Sequence, residues 1–274
     1  MQTSTIYTPL KARLRLVKSN IAKPYNWIFL PGGPGLGSES LALLTNGLDL
    51  PGSMWHLDLP NDGSNVLDDS DSYFEHWPAA LIEAVKTLDR VILVAHSTGG
   101  MYALATPPLK EILHGFVIMD SAPDASWQAS FMRYVNQHPL SEAQRLQTIY
   151  GAHPTNEHLK QLTIASLPYL VAADKISSVT SFFEHLPYNV KACEWSAQHF
   201  DQTYKSQWVP DAIPTLIFAG DQDHITPLDL FVQARKFHHE NIVLETIDQA
   251  GHYPWIENMG QVALVFKEFC KRLP

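Results

Sequence analysis

Short, almost unbroken apolar runs recur along the chain at 27–30, 54–59, 91–95, 116–119, 215–219 and Ile242–Ile247. Each is too short for a helix and lacks the alternation of a half-exposed strand, which predicts strands buried on both faces. Helical spacing fills most of the intervals. The clearest case covers 72–88, with Trp77, Leu81, Val85 and Leu88 on one face and Asp68, Asp69 and Asp71 gathered near its start, where negative charge suits a helix. Alternating strands and helices predict an α/β fold, a mostly parallel, open twisted sheet flanked by helices. The early segment 12–18 alternates polar and apolar residues instead, as an antiparallel strand at the sheet edge does.

The alternation stops between Pro123 and Pro210, where helical patterns continue without a convincing strand. This predicts a helical cap at 123–206 inserted into a core formed by residues 1–122 and 207–274. The insert is rich in aromatics, among them Trp127, Phe131, Tyr134, Tyr169, Phe183 and Trp195. Most of these are expected to hold the cap together and dock it on the sheet, leaving some to face a ligand. No internal repeat or low-complexity linker interrupts the chain.

With 274 residues, 45% hydrophobic and 17% charged, the composition is that of one globular α/β core with an inserted module. No apolar run approaches the roughly 18 residues of a membrane span, and the first residues lack the basic, apolar and small-residue regions of a secretory signal. A soluble cytoplasmic protein is expected. A net charge of −9, with 19 basic residues scattered rather than clustered, argues against nucleic acid as a partner and leaves a small molecule as the expected one. Oligomeric state is open. Cys193 and Cys270 are two lone thiols rather than a disulfide framework. Thirteen histidines include no pair at metal-ligand spacing, so neither a metal nor another cofactor is expected.

Candidate chemistry begins where the apolar run 91–95 ends, at His96-Ser97-Thr98-Gly99-Gly100. A serine on a sharp strand-to-helix turn needs small residues two before and two after it, and Ala95 and Gly99 supply them. The helix predicted over 98–106, ended by Pro107 and Pro108, directs its N-terminal amides at Ser97. A hydroxyl nucleophile needs a base, an orienting acid and donors for an oxyanion. Past the run 215–219 comes Gly220-Asp-Gln-Asp223, and past Ile242–Ile247 comes Ala250-Gly-His252-Tyr-Pro, so an acid loop and a histidine loop reach the same sheet edge. A further turn, Pro31-Gly-Gly33-Pro-Gly-Leu36-Gly, follows the run 27–30.

These motifs, in this order, resemble the α/β-hydrolase superfamily over nearly the whole chain. The resemblance implies a Ser-His-Asp triad of Ser97, His252 and Asp223, the last residue of the G-x-x-D pattern, with Asp120 after the run 116–119 as the alternative acid. It also implies oxyanion amides at Gly33 and Thr98, in a loop where Pro31 replaces the usual bracing histidine. The segment 58–64 stands where relatives carry D-x-x-G-H-G-x-S, with Asn61 and Asp62 substituted in. Leu36, Met101, Tyr253 and Trp255 are the candidates for an apolar or aromatic substrate pocket. The expected activity is hydrolysis of a small ester, thioester or other acyl compound. Proline-iminopeptidase-like cleavage, carbon-carbon bond hydrolysis or lysis, and a non-catalytic receptor remain open on the same fold. An aspartate-nucleophile enzyme is disfavoured by serine at 97.

Overall fold

The computed structural model describes residues 4–20, 24–67 and 72–274, so Asp68, Asp69 and Asp71 lie outside the described residues. Eight strands form one sheet: β1 (Thr5–Tyr7), β2 (Arg13–Asn20), β3 (Asn26–Leu30), β4 (Gly52–Asp58), β5 (Val91–His96), β6 (Gly115–Met119), β7 (Thr215–Gly220) and β8 (Ile242–Ile247). They lie in the order β1-β2-β4-β3-β5-β6-β7-β8. From β4 to β8 every pairing is parallel, whereas β1 and β2 join antiparallel. The segment 12–18 is therefore a penultimate strand: three-residue β1, too short to show a period, covers its outer side.

The sheet is buried on both faces because alternate residues of its strands feed two apolar layers. Trp27 and Phe29 of β3 face Phe218, Phe266 and Phe269, with Trp27 at 6.3 Å from both of the last two rings. Ile28 and Leu30 join Leu93, Phe116 and Trp77 on the opposite face. Helices cover the layers: α1 (Ala42–Gly47), α2 (Ser72–Glu75), α3 (Trp77–Lys86), α4 (Thr98–Leu104), then, after the insert described below, α11 (Asp229–Gln233), α12 (Pro254–Glu257) and α13 (Met259–Cys270). The helix predicted over 72–88 is divided at His76. Pro78 has no amide to donate to the Phe74 carbonyl, so one helical ladder cannot run through it.

Six helices separate β6 from β7: α5 (Ser126–Gln137), α6 (Ser141–Ala152), α7 (Asn156–Ala165), α8 (Leu167–Leu170), α9 (Ala173–Glu184) and α10 (Val190–His199). Thr155 and Asn189 cap α7 and α10 with side-chain oxygens that accept from His158 and Ala192 amides. The insert's ends meet at an Asp124–Lys205 bridge, and the Tyr204 hydroxyl donates to the Ala122 carbonyl at 2.9 Å. Among the described residues, no helix is long and apolar enough to cross a membrane.

Candidate active site

β5 delivers Ser97 to the C-terminal edge of the sheet and α4 starts at the next residue, leaving Ser97 at φ 52°, ψ −125°. A non-glycine residue in that region costs on the order of 1–3 kcal/mol and persists only where its surroundings enforce it. Here the Ser97 amide donates to the Met119 carbonyl at 2.9 Å, and its carbonyl accepts from the Ser121 hydroxyl at 2.7 Å and the Gly100 amide at 2.9 Å. The glycines make room. A Cβ on Gly99 would stand 2.4 Å from the Pro31 carbonyl oxygen, and one on Gly32 would stand 2.5 Å from Ser97 Cβ and 2.9 Å from the Thr98 nitrogen. The 31–37 turn therefore lies directly against the serine turn and the first amide of α4.

Ser97 Oγ is 3.0 Å from His252 Nε2, and His252 Nδ1 is 3.0 Å from Asp223 Oδ2. Ser97 is 8% exposed, His252 4% and Asp223 2%, so all three are buried and exposure falls from the serine to the acid. Burial pushes the Asp223 carboxyl up. The charge of His252, its hydrogen bond, and those from the Ile225 amide and the Thr226 hydroxyl outweigh burial and hold the group below the usual carboxylate range. Thr226 Oγ1 donates to Asp223 Oδ2 at 2.9 Å while its amide reaches Oδ1 at 3.2 Å, so the acid has little freedom to turn. Asp221 does a different job, accepting from the Ala250 amide at 3.0 Å and joining the acid loop to the histidine loop.

Asp120 ends β6 at φ 45°, wholly buried. Its Oδ1 accepts from the Gly220 amide at 3.0 Å, and its Oδ2 has no hydrogen-bond partner. Burial and the neighbouring Asp223 raise its pKa well above the usual range, which favours the protonated form. Asp120, Asp223 and His252 are the group among the described residues whose donor atoms lie close enough, within 4.8 Å, to share a metal ion. In the arrangement present, His252 turns Nδ1 to Asp223 and Nε2 to Ser97.

The histidine loop is fixed from two sides. His96, beneath Ser97, donates its Nε2 proton to the His252 carbonyl at 2.9 Å, which leaves Nδ1 unprotonated and without a partner. Burial pushes the His96 pKa down to about 3, so it stays neutral. The Leu170 carbonyl of the insert accepts the His252 amide at 2.9 Å, and the Glu257 carboxylate of α12 accepts the Gly251 amide and the insert's Ala172 amide, both at 2.6 Å. Of the proposed pocket residues, Tyr253 packs between His96 and Phe183 of α9, and Trp255 stands edge-on to His96 at 4.9 Å. Leu36 faces Gly33, whereas Met101 lies in a small cluster with Ala122 and Tyr204. A cavity of about 230 Å³ opens beside this loop, lined by Tyr134, Tyr169, Leu170, Gln222 and His224.

Thr98, the first helical residue of α4, and Gly33, one residue beyond Gly32, flank the serine turn. The roles of Thr226, Ser121 and His96 carry no local motif, because they depend on partners remote in the chain. Thr226 alone left a trace, as a hydroxyl three residues past Asp223.

A model of the alpha/beta hydrolase family matches residues 27–264. A Mycoplasma pneumoniae protein that bears the provisional name esterase/lipase 2 is 25% identical over 249 residues, 85% of this chain and 84% of its own. Among solved structures, an alpha/beta fold family hydrolase from Bacillus anthracis superposes with a TM-score of 0.73 at 17% identity, covering 98% of both chains. A proline iminopeptidase-related protein from Thermus thermophilus gives a TM-score of 0.70 at 17% identity, covering 100% of this chain and 99% of its own. With most of its length inside the family model, this chain belongs to the alpha/beta hydrolase family.

Proposed function

We propose that the protein is a serine hydrolase of small esters, thioesters or related acyl compounds, with Ser97, His252 and Asp223 as its triad and residues 123–206 as a cap over it. The observation that carries this reading is the unbroken relay of two 3.0 Å contacts ending on a serine held at positive φ. Ser97 Oγ attacks the acyl carbonyl as His252 Nε2 takes its proton. Asp223 holds the imidazole in the tautomer that can accept it and stabilises the charged form. The Gly33 and Thr98 amides bind the oxyanion. The carbon–oxygen or carbon–sulfur bond then breaks, the leaving group departs with the proton from His252, and water activated by the same histidine releases the acid from Ser97.

Leu36, Met101, Tyr253 and Trp255 are assigned to the acyl side of the site, which suits an apolar or aromatic group. Hydrolysis of p-nitrophenyl esters of rising acyl length tests both parts. The wild type is expected to turn over the short and aromatic esters, with Ser97→Ala and His252→Ala at the uncatalysed rate. Turnover that survives in Ser97→Ala, or a wild type no faster than buffer, contradicts the proposal, the second result pointing to a receptor that retains the fold.

A further inference from the structure

The 31–37 turn has unusual freedom to lose. Two prolines remove amides that could tether it, and Gly35 sits at φ 99°, outside the region open to other residues. Inside the turn the Leu36 amide donates to the Gly33 carbonyl at 2.9 Å, and the further restraint comes from outside. The Gly35 amide donates to Asp62 Oδ1 at 2.7 Å, the Gly35 carbonyl accepts the Asn189 amide of the cap at 2.9 Å, and the Ser38 amide donates to Asp58 Oδ1 at 2.7 Å. Asn189 also donates its side-chain amide to the Asn61 carbonyl at 2.8 Å, closing a junction of three segments around the turn.

We propose that Asp62 is a positioning residue for Ser97 chemistry: its carboxylate anchors the glycine turn so that the Gly33 amide stays directed at the oxyanion. This rests on the hydrolase reading above. Gly32 touches the serine turn on one side while Gly35, three residues on, is bound to Asp62 on the other, so a loosened Gly35 moves the amides between them. Pro31 offers neither a side-chain hydrogen bond nor an amide to do the same work.

The anchor is also titratable. Burial, then the charge of Asp58 and more weakly of Glu39, pushes the Asp62 carboxyl up to about 7 against the opposing Gly35 and Gly63 amides. The nearby cations are committed elsewhere: Arg13 and Arg15 pair with Asp58 at 2.9 and 3.1 Å and with Glu39 at 3.8 and 2.8 Å. Tyr102 of α4 and Cys193 of α10 also lie within reach of its field, and burial keeps both neutral. Lys191 lines the adjoining surface cleft with Asn61. Ionised Asp62 makes a charge-assisted bond to Gly35, about twice as strong as a neutral one, and protonation below about pH 7 weakens it.

The test combines amide NMR with ester kinetics from pH 5 to 9 on the wild type, Asp62→Asn and Asp62→Ala. In the wild type the Gly35 amide is expected to titrate with a midpoint near 7, and in Asp62→Asn that titration disappears. In the wild type kcat/KM is expected to show a step of less than about tenfold centred near pH 7, and in Asp62→Asn that step disappears. Asp62→Ala is expected to lose at least about tenfold in kcat with KM little changed, and Asp62→Asn, which keeps an acceptor for Gly35, to recover much of that loss at pH 8. A Gly35 amide flat across the range, or Asp62→Ala with the kcat of the wild type, overturns the proposal. Absence of turnover in the wild type overturns instead the hydrolase reading beneath it, a result distinct from a flat Gly35 amide or an unimpaired Asp62→Ala.

Discussion

A serine at φ 52° stays there because Met119, Ser121 and Gly100 each hold one of its backbone groups, so the strain that exposes its hydroxyl is supported by the core of the sheet. The same economy of position separates the two buried aspartates. Asp223 faces His252 and is kept ionised by donors, whereas Asp120 accepts one amide and favours its neutral form. Asp223→Asn is therefore expected to lower kcat on the order of 10⁴-fold, because it leaves the imidazole in the wrong tautomer, as in serine proteases. Asp120→Asn is expected to cost far less; the reverse ranking in ester kinetics assigns the acid to Asp120. Ser97, His252 and Asp223 were legible in sequence because each follows a strand pattern and sits in a short local motif. Thr226, Ser121, His96 and Asp62 were not, since what they do is set by hydrogen bonds to segments that only folding brings near.

Between elements, the decisive contacts are backbone to backbone. Gly99 of α4 and Gly32 after β3 allow two turns to touch without side chains between them. Gly99→Ala forces a methyl to 2.4 Å from the Pro31 carbonyl oxygen, an atom that cannot move as a flexible side chain can. A loss of about 1–3 kcal/mol in urea unfolding is expected, as for overpacked cores, together with a fall in activity from the displaced turn. Unchanged stability shows that the turn yields. Strands β3 to β7 were visible as nearly continuous apolar runs because both faces of the sheet are covered there, and edge strand β8, with Glu245 and Thr246 exposed, was visible from its apolar start. β1 was not, as three residues carry no period, and the division at His76 required weighing Pro78 against an otherwise clean helical face.

Over the whole molecule, buried carboxylates give stability a pH dependence of mixed sign. Asp223, held below its ordinary range, contributes stability that is present above its unfolded pKa and lost as pH falls through the folded value. Asp62 acts in the opposite sense: raised from 3.8 to about 7, it binds a proton in the folded state where the unfolded chain has released it. Its contribution falls as pH rises from about 4 to about 7, by at most about 4 kcal/mol. Thermal melts of the wild type and Asp62→Asn should thus diverge in favour of the variant as pH rises from about 4 to about 7, and a constant difference refutes the shifted ionisation. The helical insert was legible as a gap in the strand rhythm, but its ties to the site were not: Leu170 and Ala172 use backbone groups, and Asn189 uses its backbone amide and its side chain on segments remote in the chain. Intact-mass labelling with a fluorophosphonate at neutral pH tests whether Ser97 is activated. One adduct per chain, lost in both Ser97→Ala and His252→Ala, is the predicted result; a folded wild type that takes up no label, or labelling that persists in Ser97→Ala, contradicts it.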